Sequence, residues 1–395
     1  MTTAEPARQP RWFLILFALA AAGGAVGYVP LLTVLLPQRI AELQGGEDVA
    51  ALAQVTFLGA MMASIANIAV GALSDRSRTR RPWIIAGLIA SNLLLLAVGE
   101  AQSVTQMVLL VMAWQVALNL MLSPLMAWAG DCFPDSQKGL LGGALALAPA
   151  LGALSGSLVT YADLVPPAAR LMLVAVLVSM LVLPAVLLGK GRAQPALMQS
   201  TAATGDPPRL RDRVVVQMWG ARLLVQVAEG GMFAFLLYWL RSIAPDYPEN
   251  STANIFSIVL VCAVPLSLLA GRWSDRHGRP IQPLIAAAIL CASGLLMMAA
   301  TDDLTWAIAG YVLFGLAAAI FLALHSGQTL RVLPAPQHRG RDLGLFNLTN
   351  TVPGMVMPWL AVLLIPAFGY AALFVLFAVL ALLSAALLVT VLRRS

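Results

Sequence analysis

The sequence has little charge for its length. Only 11% of its 395 residues are Asp, Glu, Lys or Arg, whereas 60% are hydrophobic. A water-soluble protein of this size needs many more ionisable side chains to cover its surface, so lipid must cover much of this chain. The composition therefore predicts a membrane protein and leaves no segment for a separate water-soluble domain.

The sequence also lacks the common signatures of metal and catalytic sites. Its three cysteines, Cys132, Cys262 and Cys291, do not have the spacing of metal ligands. No CxxC pair, HExxH, GxSxG or P-loop glycine pattern occurs. These absences argue against a metalloenzyme, a hydrolase and an ATP-driven pump. We expect no enzymatic activity, no cofactor and no bound metal.

Long apolar runs recur from one end of the sequence to the other, for example at residues 12–36, 104–128 and 371–392. Each run is long enough to cross about 30 Å of hydrocarbon as an α-helix. The first run is too long for the core of a signal peptide and has no convincing cleavage site behind it. We therefore interpret it as a retained first span.

The runs predict an all-α membrane protein with twelve transmembrane helices in two pseudo-symmetric six-helix bundles. The predicted spans lie near residues 12–36, 50–72, 82–99, 104–128, 138–160, 169–188, 214–240, 252–272, 281–300, 304–330, 342–366 and 369–392. A polar stretch with basic residues and prolines separates the sixth span from the seventh. We predict an N-terminal bundle at 1–188, a cytoplasmic linker at 189–213 and a C-terminal bundle at 214–395.

The basic residues indicate the orientation in the membrane. The formal net charge is +6, but the Lys and Arg side chains follow the predicted topology and form no soluble basic patch. With the N-terminus in the cytoplasm, 20 of the 24 basic residues fall on cytoplasmic segments, and the others are Arg39, Arg170, Arg222 and Arg241. This predicts a protein of the bacterial cytoplasmic (inner) membrane with both termini in the cytoplasm. The expected partners are a small-molecule substrate, protons and membrane lipid, without nucleic acid, and the expected oligomeric state is a monomer.

Two motifs repeat at an offset of about 200 residues. Residues 71–76 (GALSDR) follow the second predicted span, and residues 271–276 (GRWSDR) follow the eighth. Residues 133–139 (FPDSQKG) after the fourth span match residues 333–340 (LPAPQHRG) after the tenth. Two matches at one offset, each at the equivalent loop, indicate an internal duplication. Both halves are therefore expected to point the same way across the membrane, with a substrate path between them near mid-membrane.

At these motifs the sequence resembles the major facilitator superfamily, which carries a Gly-x-Leu-x-Asp-Arg loop between its second and third spans. Residues 71–83 (GALSDRSRTRRPW) resemble the pattern of the sucrose transporters and related sugar–proton symporters. Residues 342–347 (DLGLFN), with Pro353 and Pro358 after them, are similar to the start of the eleventh span in that group. The resemblance implies a carrier of a sugar or glycoside that works by alternating access and is driven by protons.

Two departures from the family pattern keep other hypotheses open. The fourth span has no Arg at the position where many proton-coupled members carry one. In the fifth span, Ala148, Pro149 and Gly152 look like a degraded form of the glycine–proline motif of exporters. The alternatives are a proton-antiport exporter of an amphiphilic drug or metabolite, and a membrane scaffold that transports nothing.

The loop after the second span contains a candidate conformational latch. A carboxylate at Asp75 can accept hydrogen bonds from the first turn of a helix, such as the span that starts near Asp342. The family resemblance implies that this loop controls a conformational change. The residues assigned to the latch are Gly71, Asp75 and Arg76, with Asp275 and Arg276 as the second copy. The alternative interpretation is a solvated cytoplasmic anchor.

The seventh span contains the candidate coupling site. Arg222, Gln226, Glu229 and Phe233 follow one another at i, i+4, i+7 and i+11, which places them on one helix face. Glu229 is the one acidic residue deep in a predicted span, and a carboxylate there costs about 3 kcal/mol or more unless it faces a partner or a water-filled cavity. This predicts a proton or substrate site. The alternative is a static structural pair of Arg222 with Glu229.

Polar and aromatic side chains in other spans are further candidates. An unperturbed imidazole titrates in the range that a proton-coupled carrier needs, so the presence of His325 in the tenth span leads us to assign proton coupling to Glu229, Arg222 and His325. Amides and aromatic rings suit a neutral polyol. The predicted substrate-binding residues are Tyr28, Trp114, Gln115, Asn119, Gln226, Phe233, Gln328, Asn347 and Asn350. The alternative interpretation of His325 is a packed core residue, and that of the amide side chains is hydrogen bonding between helices.

Overall fold

The computed structural model describes residues 8–45, 49–160, 165–189, 197, 213–333 and 336–393. Within these ranges the regular structure is entirely helical, with no strand. The all-α class expected from the apolar runs is therefore confirmed. The predicted linker at 189–213 lies for the most part outside the described residues.

The first six long helices follow the predicted spans. They are α1 (Arg11–Gln44), α2 (Val49–Ser77), α3 (Arg81–Gly99), α4 (Val104–Cys132), α5 (Lys138–Leu145 and Leu147–Val159) and α6 (Arg170–Leu188). Helix α1 contains a π-helical segment, Leu31–Leu35, directly after Pro30. Because proline has no backbone N–H and its ring crowds the preceding turn, a local change of helical register at this point is expected.

The second six helices are α7 (Arg213–Ile243), α8 (Glu249–His277), α9 (Gln282–Ala299), α10 (Leu304–Val332), and the two parts of the stretch Arg339–Leu392. That stretch is broken at Gly369, which has a φ of 73° and a ψ of −177°. Glycine alone adopts this conformation without strain. We call the part at 339–368 α11 and the part at 370–392 α12.

The helices have the length and composition of membrane spans. Within the described ranges, ten helices are long and apolar enough to cross a membrane, and α7 is an eleventh if it is counted across its bend. The described helices match the twelve predicted segments, although α5 is interrupted between Leu145 and Leu147. The predicted twelve-helix fold is confirmed.

The chain divides into two compact units. The first unit contains Met1–Pro134, Leu147–Pro207 and Ala335–Asn347; the second contains Asp135–Ala146, Pro208–Pro334 and Leu348–Ser395. The start of α5 therefore packs in the second unit, and the start of α11 packs in the first. These two helix starts position the polar clusters described below.

Glycines allow close helix crossings within each unit. A Cβ atom at Gly87 of α3 would overlap the backbone of α4 at Met121, and one at Gly294 of α9 would overlap α10 at Phe314. Small residues at crossings are typical of membrane helices, because close backbone approach maximises van der Waals contact. Large apolar side chains such as Leu93 and Met180 remain exposed on the outside of the first unit, as lipid contact requires.

Candidate functional site

The end of α2 caps the start of α11 within the first unit. The carboxylate of Asp75 accepts hydrogen bonds from the backbone N–H groups of Gly340 at 3.0 Å and Arg341 at 3.1 Å. N–H groups in the first turn of a helix have no partner within the helix, and the helix dipole favours a negative charge there. Asp75 is therefore a helix cap supplied by a distant part of the chain.

Gly71 lies one turn before Asp75 and makes this contact possible. A Cβ atom at Gly71 would overlap the carbonyl group of Gly340, so only glycine lets the two backbones approach this closely. Gly71 is not among the described residues with a positive φ. Close approach, not an unusual backbone conformation, is thus the reason for glycine at this position.

A buried ion-pair network supports the cap. Arg80 contacts Asp75 at 2.8 Å and Asp131 at 2.9 Å, and Arg339 contacts Asp131 at 2.7 Å. Burial by itself would lower the pKa of Arg80, but the neighbouring Asp131 and Asp75 outweigh it and raise the pKa above its ordinary value. Arg80 is therefore charged and joins α2, α4 and the start of α11 in one network.

The second unit repeats the cap. The carboxylate of Asp275 at the end of α8 accepts hydrogen bonds from the N–H groups of Gly139 at 2.9 Å and Leu140 at 2.7 Å, in the first turn of α5. Gly271 approaches the backbone of Gly139 as Gly71 approaches that of Gly340. The motif repeat in the sequence thus corresponds to a repeated three-dimensional contact.

The supporting charges differ between the two caps. Arg331 contacts Asp275 at 2.9 Å and donates to the carbonyl oxygen of Asp135. Arg331 occupies the position 200 residues after Asp131, so a basic residue in the second unit replaces an acidic residue in the first. Of the predicted latch residues, Arg76 and Arg276 are exposed, and the arginines that contact Asp75 and Asp275 are Arg80 and Arg331.

Sequence reasoning missed Arg80, Asp131, Arg331 and Arg339 as members of these clusters. The motif spacing identified the aspartates but not their partners, because the partners come from other helices. One signal was present: Asp131 and Arg331 are charged residues at equivalent positions at the ends of α4 and α10.

Arg222 on α7 is held by helices α10 and α11 of the second unit. Its Nε donates to Thr349 Oγ1 at 3.1 Å, and its Nη1 donates to the carbonyl oxygen of Leu322 at 3.1 Å and to Ser326 Oγ at 3.2 Å. Its Nη2 donates to Asn350 Oδ1 at 3.4 Å. The guanidinium therefore directs four hydrogen bonds to neutral oxygen atoms.

Glu229, two turns further along α7, does not share these contacts. The side chain is half-buried, and no hydrogen bond or ion pair joins its carboxylate to a described residue. Arg222 and the Tyr311 side chain are near enough to interact with its charge. Among the described residues, Arg222 therefore influences Glu229 through its charge and not through a direct hydrogen bond.

Gln226, between Arg222 and Glu229, is buried, and its Oε1 atom has no hydrogen-bond partner among the described residues. On α10, Gln328 is also buried, and within the described part of the chain its Nε2 atom has no partner. Buried amide atoms without partners are costly in a protein interior and are satisfied by water or by a ligand when either is present. Phe233 belongs to α7, but its side chain lies outside the described residues.

His325 on α10 has the environment of a packed histidine. It is fully buried; its Nε2 lies 3.0 Å from the carbonyl oxygen of Met218, and its Nδ1 lies 3.1 Å from Thr329 Oγ1. A carbonyl oxygen can only accept, so Nε2 carries the hydrogen in this arrangement. Both ring nitrogens are thus occupied by neighbouring groups.

The predicted polyol contacts on α4 are engaged in packing within the first unit. Asn67 on α2 donates to Asn119 Oδ1 at 2.7 Å, and Asn119 donates to the carbonyl oxygen of Gln115 at 2.8 Å. Trp114 is 1% exposed. These contacts join α2 to α4 and leave little of the amide and ring surface open.

The remaining predicted substrate residues belong to both units. Tyr28 on α1 is 39% exposed. Asn347 lies in the part of α11 that belongs to the first unit, whereas Asn350 belongs to the second unit and accepts from Arg222. Within the described ranges, no group of three or more His, Cys, Asp or Glu side chains could hold a metal ion.

The fold and the sequence of the second half both match known transporters. Residues 218–395 match the model of the Major Facilitator Superfamily. The human organic anion transporter MFSD10 (TETRAN) is 16% identical in sequence and superposes with a TM-score of 0.70. The match covers 95% of this chain and 98% of the MFSD10 chain. A bacterial homologue of the iron transporter ferroportin in its outward-facing state is 13% identical and superposes with a TM-score of 0.72. That match covers 96% of this chain and 98% of the homologue.

These comparisons limit what can be said of the substrate. A comparison with curated protein sequences finds no significant match. The two structural neighbours share the fold at low identity; one is described as an organic anion transporter and the other as a homologue of an iron transporter. The sugar–proton branch suggested by residues 71–83 receives no support from them. Residues 218–395 match the Major Facilitator Superfamily, and the chain as a whole has the fold of transporters of known structure.

Proposed function

We propose that the protein is a proton-coupled secondary transporter that moves a small organic solute across the cytoplasmic membrane by alternating access. The observation that carries this proposal is Glu229. It is a half-buried acidic side chain within a membrane span, without a hydrogen-bond or ion-pair partner among the described residues. A carboxylate in such a place is expensive, and its usual role is in a solute or proton pathway.

The hydrogen bonds of Arg222 support a coupling role for Glu229. Because α10 and α11 hold the guanidinium with neutral oxygen atoms, Arg222 does not bond directly to the carboxylate. Glu229 can therefore gain or lose a proton without breaking an ion pair. A group that binds a proton in one access state and releases it in the other couples the proton gradient to solute movement.

The two aspartate caps support alternating access. Each cap joins the end of one helix to the start of another through two hydrogen bonds from backbone N–H groups, and an arginine pairs with each aspartate. Contacts that form in one access state and break in another set the equilibrium between the states. We assign this role to Asp75 and Asp275, together with Gly71 and Gly271.

Uptake of a neutral sugar has less support than transport in general. Asn119 of α4, which would suit a polyol, is hydrogen-bonded to Asn67 of α2, and the structural neighbours are described as an organic anion transporter and a bacterial homologue of an iron transporter. The proton-antiport exporter is the second candidate, because Glu229 offers one negative site that a proton and a solute can occupy in turn.

Transport by purified protein in proteoliposomes tests the proposal. Flux of radiolabelled sucrose, tetraethylammonium and benzoate is measured with a proton gradient of either direction and with none. We expect one of these solutes to move against its own gradient when the proton gradient is applied. Accumulation with protons moving inward supports symport, and the opposite coupling supports antiport. Flux equal to that of empty liposomes for every solute, under every gradient, contradicts the transporter proposal and favours the scaffold alternative.

A further inference from the structure

We infer that a groove between α3 and α6 of the first unit binds an anionic phospholipid, with one acyl chain along the groove and the phosphate beside Arg81. This lipid site belongs to the first unit, whereas Glu229 belongs to the second, and lipid binding does not depend on transport. The cavity, the hydrogen bonds within it and the charge at one end support this assignment.

The groove is long and has the volume of a ligand site. Its volume is about 730 Å³, and small-molecule sites usually enclose about 300–1,000 Å³. Along α6 its lining extends from Met172 to Leu188, which is about 24 Å at a rise of about 1.5 Å per residue. The hydrocarbon of one leaflet is about 15 Å deep, half of the bilayer core. The groove can therefore hold an acyl chain over the whole depth of a leaflet.

The groove opens on a face of the unit that lipid covers. The exposed fractions of Val176, Met180 and Leu187 on α6 are 44%, 66% and 62%, and all three side chains line the groove. Exposed apolar side chains of this kind, on a membrane span, are suited to contact with hydrocarbon. Apart from Asn92 and Ser179, the other side chains that line the groove are apolar as well. A hydrocarbon chain can therefore enter directly from the bilayer.

The two polar side chains of the groove already use their hydrogen-bond donors. Asn92 on α3 donates to the carbonyl oxygen of Ala175 at 3.3 Å and to Ser179 Oγ at 2.9 Å. Ser179 in turn donates to the carbonyl oxygen of Ala175 at 2.8 Å. An amide has two N–H donors and a hydroxyl has one, so every side-chain donor of the groove is engaged. A hydrocarbon chain needs no donor, and the groove is therefore better suited to an acyl chain than to a polar solute.

Arg81 provides a positive charge at one end of the groove. It is the first residue of α3, and its Nη2 donates to the carbonyl oxygen of Gly189, the residue after the groove-lining Leu188. Its Cζ atom lies 5.3 Å from the centroid of the Trp128 ring. No ion pair joins Arg81 to a carboxylate of the described residues. A guanidinium has five N–H donors, and those that remain can bind a phosphate.

The groove and the charge have separate effects on the bound lipid. Bilayer hydrocarbon is as apolar as the groove, so a chain that enters it gains little beyond van der Waals contact. A basic residue near the membrane surface attracts anionic headgroups and distinguishes them from neutral ones. The groove therefore sets the position of the lipid, and Arg81 sets the preference for an anionic headgroup.

Lipid titrations of the purified full chain in detergent, followed by native mass spectrometry, test the headgroup preference. Dioleoyl phosphatidylglycerol and dioleoyl phosphatidylcholine have the same acyl chains and differ in headgroup charge. We expect the wild type to bind phosphatidylglycerol about fivefold more tightly, which is the ratio that one basic residue near the surface provides. Equal affinity for the two lipids would overturn the inference.

Two arginine variants assign the preference to Arg81. Arg81→Gln should remove most of the preference and leave the affinity for phosphatidylcholine unchanged, because glutamine can still donate to Gly189 but carries no charge. Arg11→Gln, which replaces an exposed arginine of α1, is the control and should retain the preference. An unchanged preference in Arg81→Gln would contradict the proposed position of the headgroup.

Two tryptophan variants assign the acyl chain to the groove. Val176→Trp should lower the affinity for both lipids by about tenfold, because the indole fills part of the groove. Leu93→Trp is the matched control, since Leu93 of α3 is 64% exposed and does not line the groove. Thermal unfolding in detergent identifies any variant that fails to fold. Full lipid affinity in a folded Val176→Trp protein would overturn the inference, and a protein dimer that this variant abolishes would assign the groove to a second copy of the chain instead.

Photo-crosslinking locates the lipid in the wild type without any variant. Phosphatidylglycerol with a diazirine in one acyl chain is added to the detergent-purified protein at a low molar ratio, and the cross-linked peptides are identified by mass spectrometry. We expect the cross-links to concentrate at residues 172–188 and at Asn92 and Leu96. Cross-links spread evenly over all the spans would overturn the inference.

Discussion

Asp75 and Asp275 are separated by 200 residues, and each caps the first turn of a helix with two hydrogen bonds from consecutive backbone N–H groups. Asp75 caps α11 within the first unit, and Asp275 caps α5 within the second. Gly340 and Gly139, whose N–H groups donate to the two aspartates, are also separated by about 200 residues. The internal duplication has therefore preserved a contact and not only a motif.

Replacement of these aspartates should slow transport without weakening solute binding. In Asp75→Asn the amide has a weaker acceptor and no charge, while Arg80 keeps its contact with Asp131, so the fold should persist. We expect turnover to fall by about tenfold, which corresponds to roughly 1.4 kcal/mol. Asp275→Asn should act in the same direction.

Turnover and solute affinity of the reconstituted variants check this expectation. Asp302→Asn, an exposed position, is the control and should behave as the wild type. Wild-type turnover in both Asp75→Asn and Asp275→Asn would rule out a latch role for the caps.

Substitution of Gly71 by alanine should already be harmful, although alanine is the better helix former. Its Cβ would overlap the backbone at Gly340, and overpacking of this kind costs about 1–3 kcal/mol. Gly156→Ala, in α5, is the matched control, because a Cβ there meets nothing within 4 Å. It should be neutral or slightly stabilising. Thermal unfolding in detergent and transport are the measurements, and equal behaviour of the two variants would contradict the close-approach explanation.

The role of His325 should prove structural. Both of its ring nitrogens are occupied, so His325→Gln should lower the free energy of unfolding by about 1–3 kcal/mol through lost or distorted buried hydrogen bonds. Proton-driven accumulation and its pH profile should otherwise match the wild type. A shifted pH profile of accumulation in a stably folded His325→Gln protein would contradict the structural role and indicate that His325 takes part in proton coupling.

The features that the sequence predicted well are those encoded along one helix or by repetition. The apolar runs predicted the twelve helices, and the repeat identified Asp75 and Asp275. Glu229 stood out because an acidic residue inside an apolar run has few structural explanations. Each of these signals is local, so no knowledge of tertiary contacts was needed.

The features that could not be predicted depend on contacts between helices. Asn119 shares a helix face with Gln115, and that spacing fits a solute site and an inter-helix hydrogen bond equally well. The spacing does not indicate that Asn67 on α2 donates a hydrogen bond to Asn119, which the structure shows. In the same way, two turns of helix allow Arg222 to reach Glu229, but the acceptors on α10 and α11 hold its guanidinium. Spacing alone does not reveal such competing partners.

The most direct test of the coupling role is uphill solute accumulation by Glu229→Gln protein in proteoliposomes under an imposed proton gradient. Accumulation is compared with the wild type and with Glu100→Gln, which replaces an exposed glutamate of the first unit, and solute exchange without a gradient is measured in parallel. We predict that Glu229→Gln loses accumulation, because the amide cannot carry a proton, while Glu100→Gln retains it. Accumulation by Glu229→Gln equal to that of the wild type would contradict the assignment of proton coupling to Glu229.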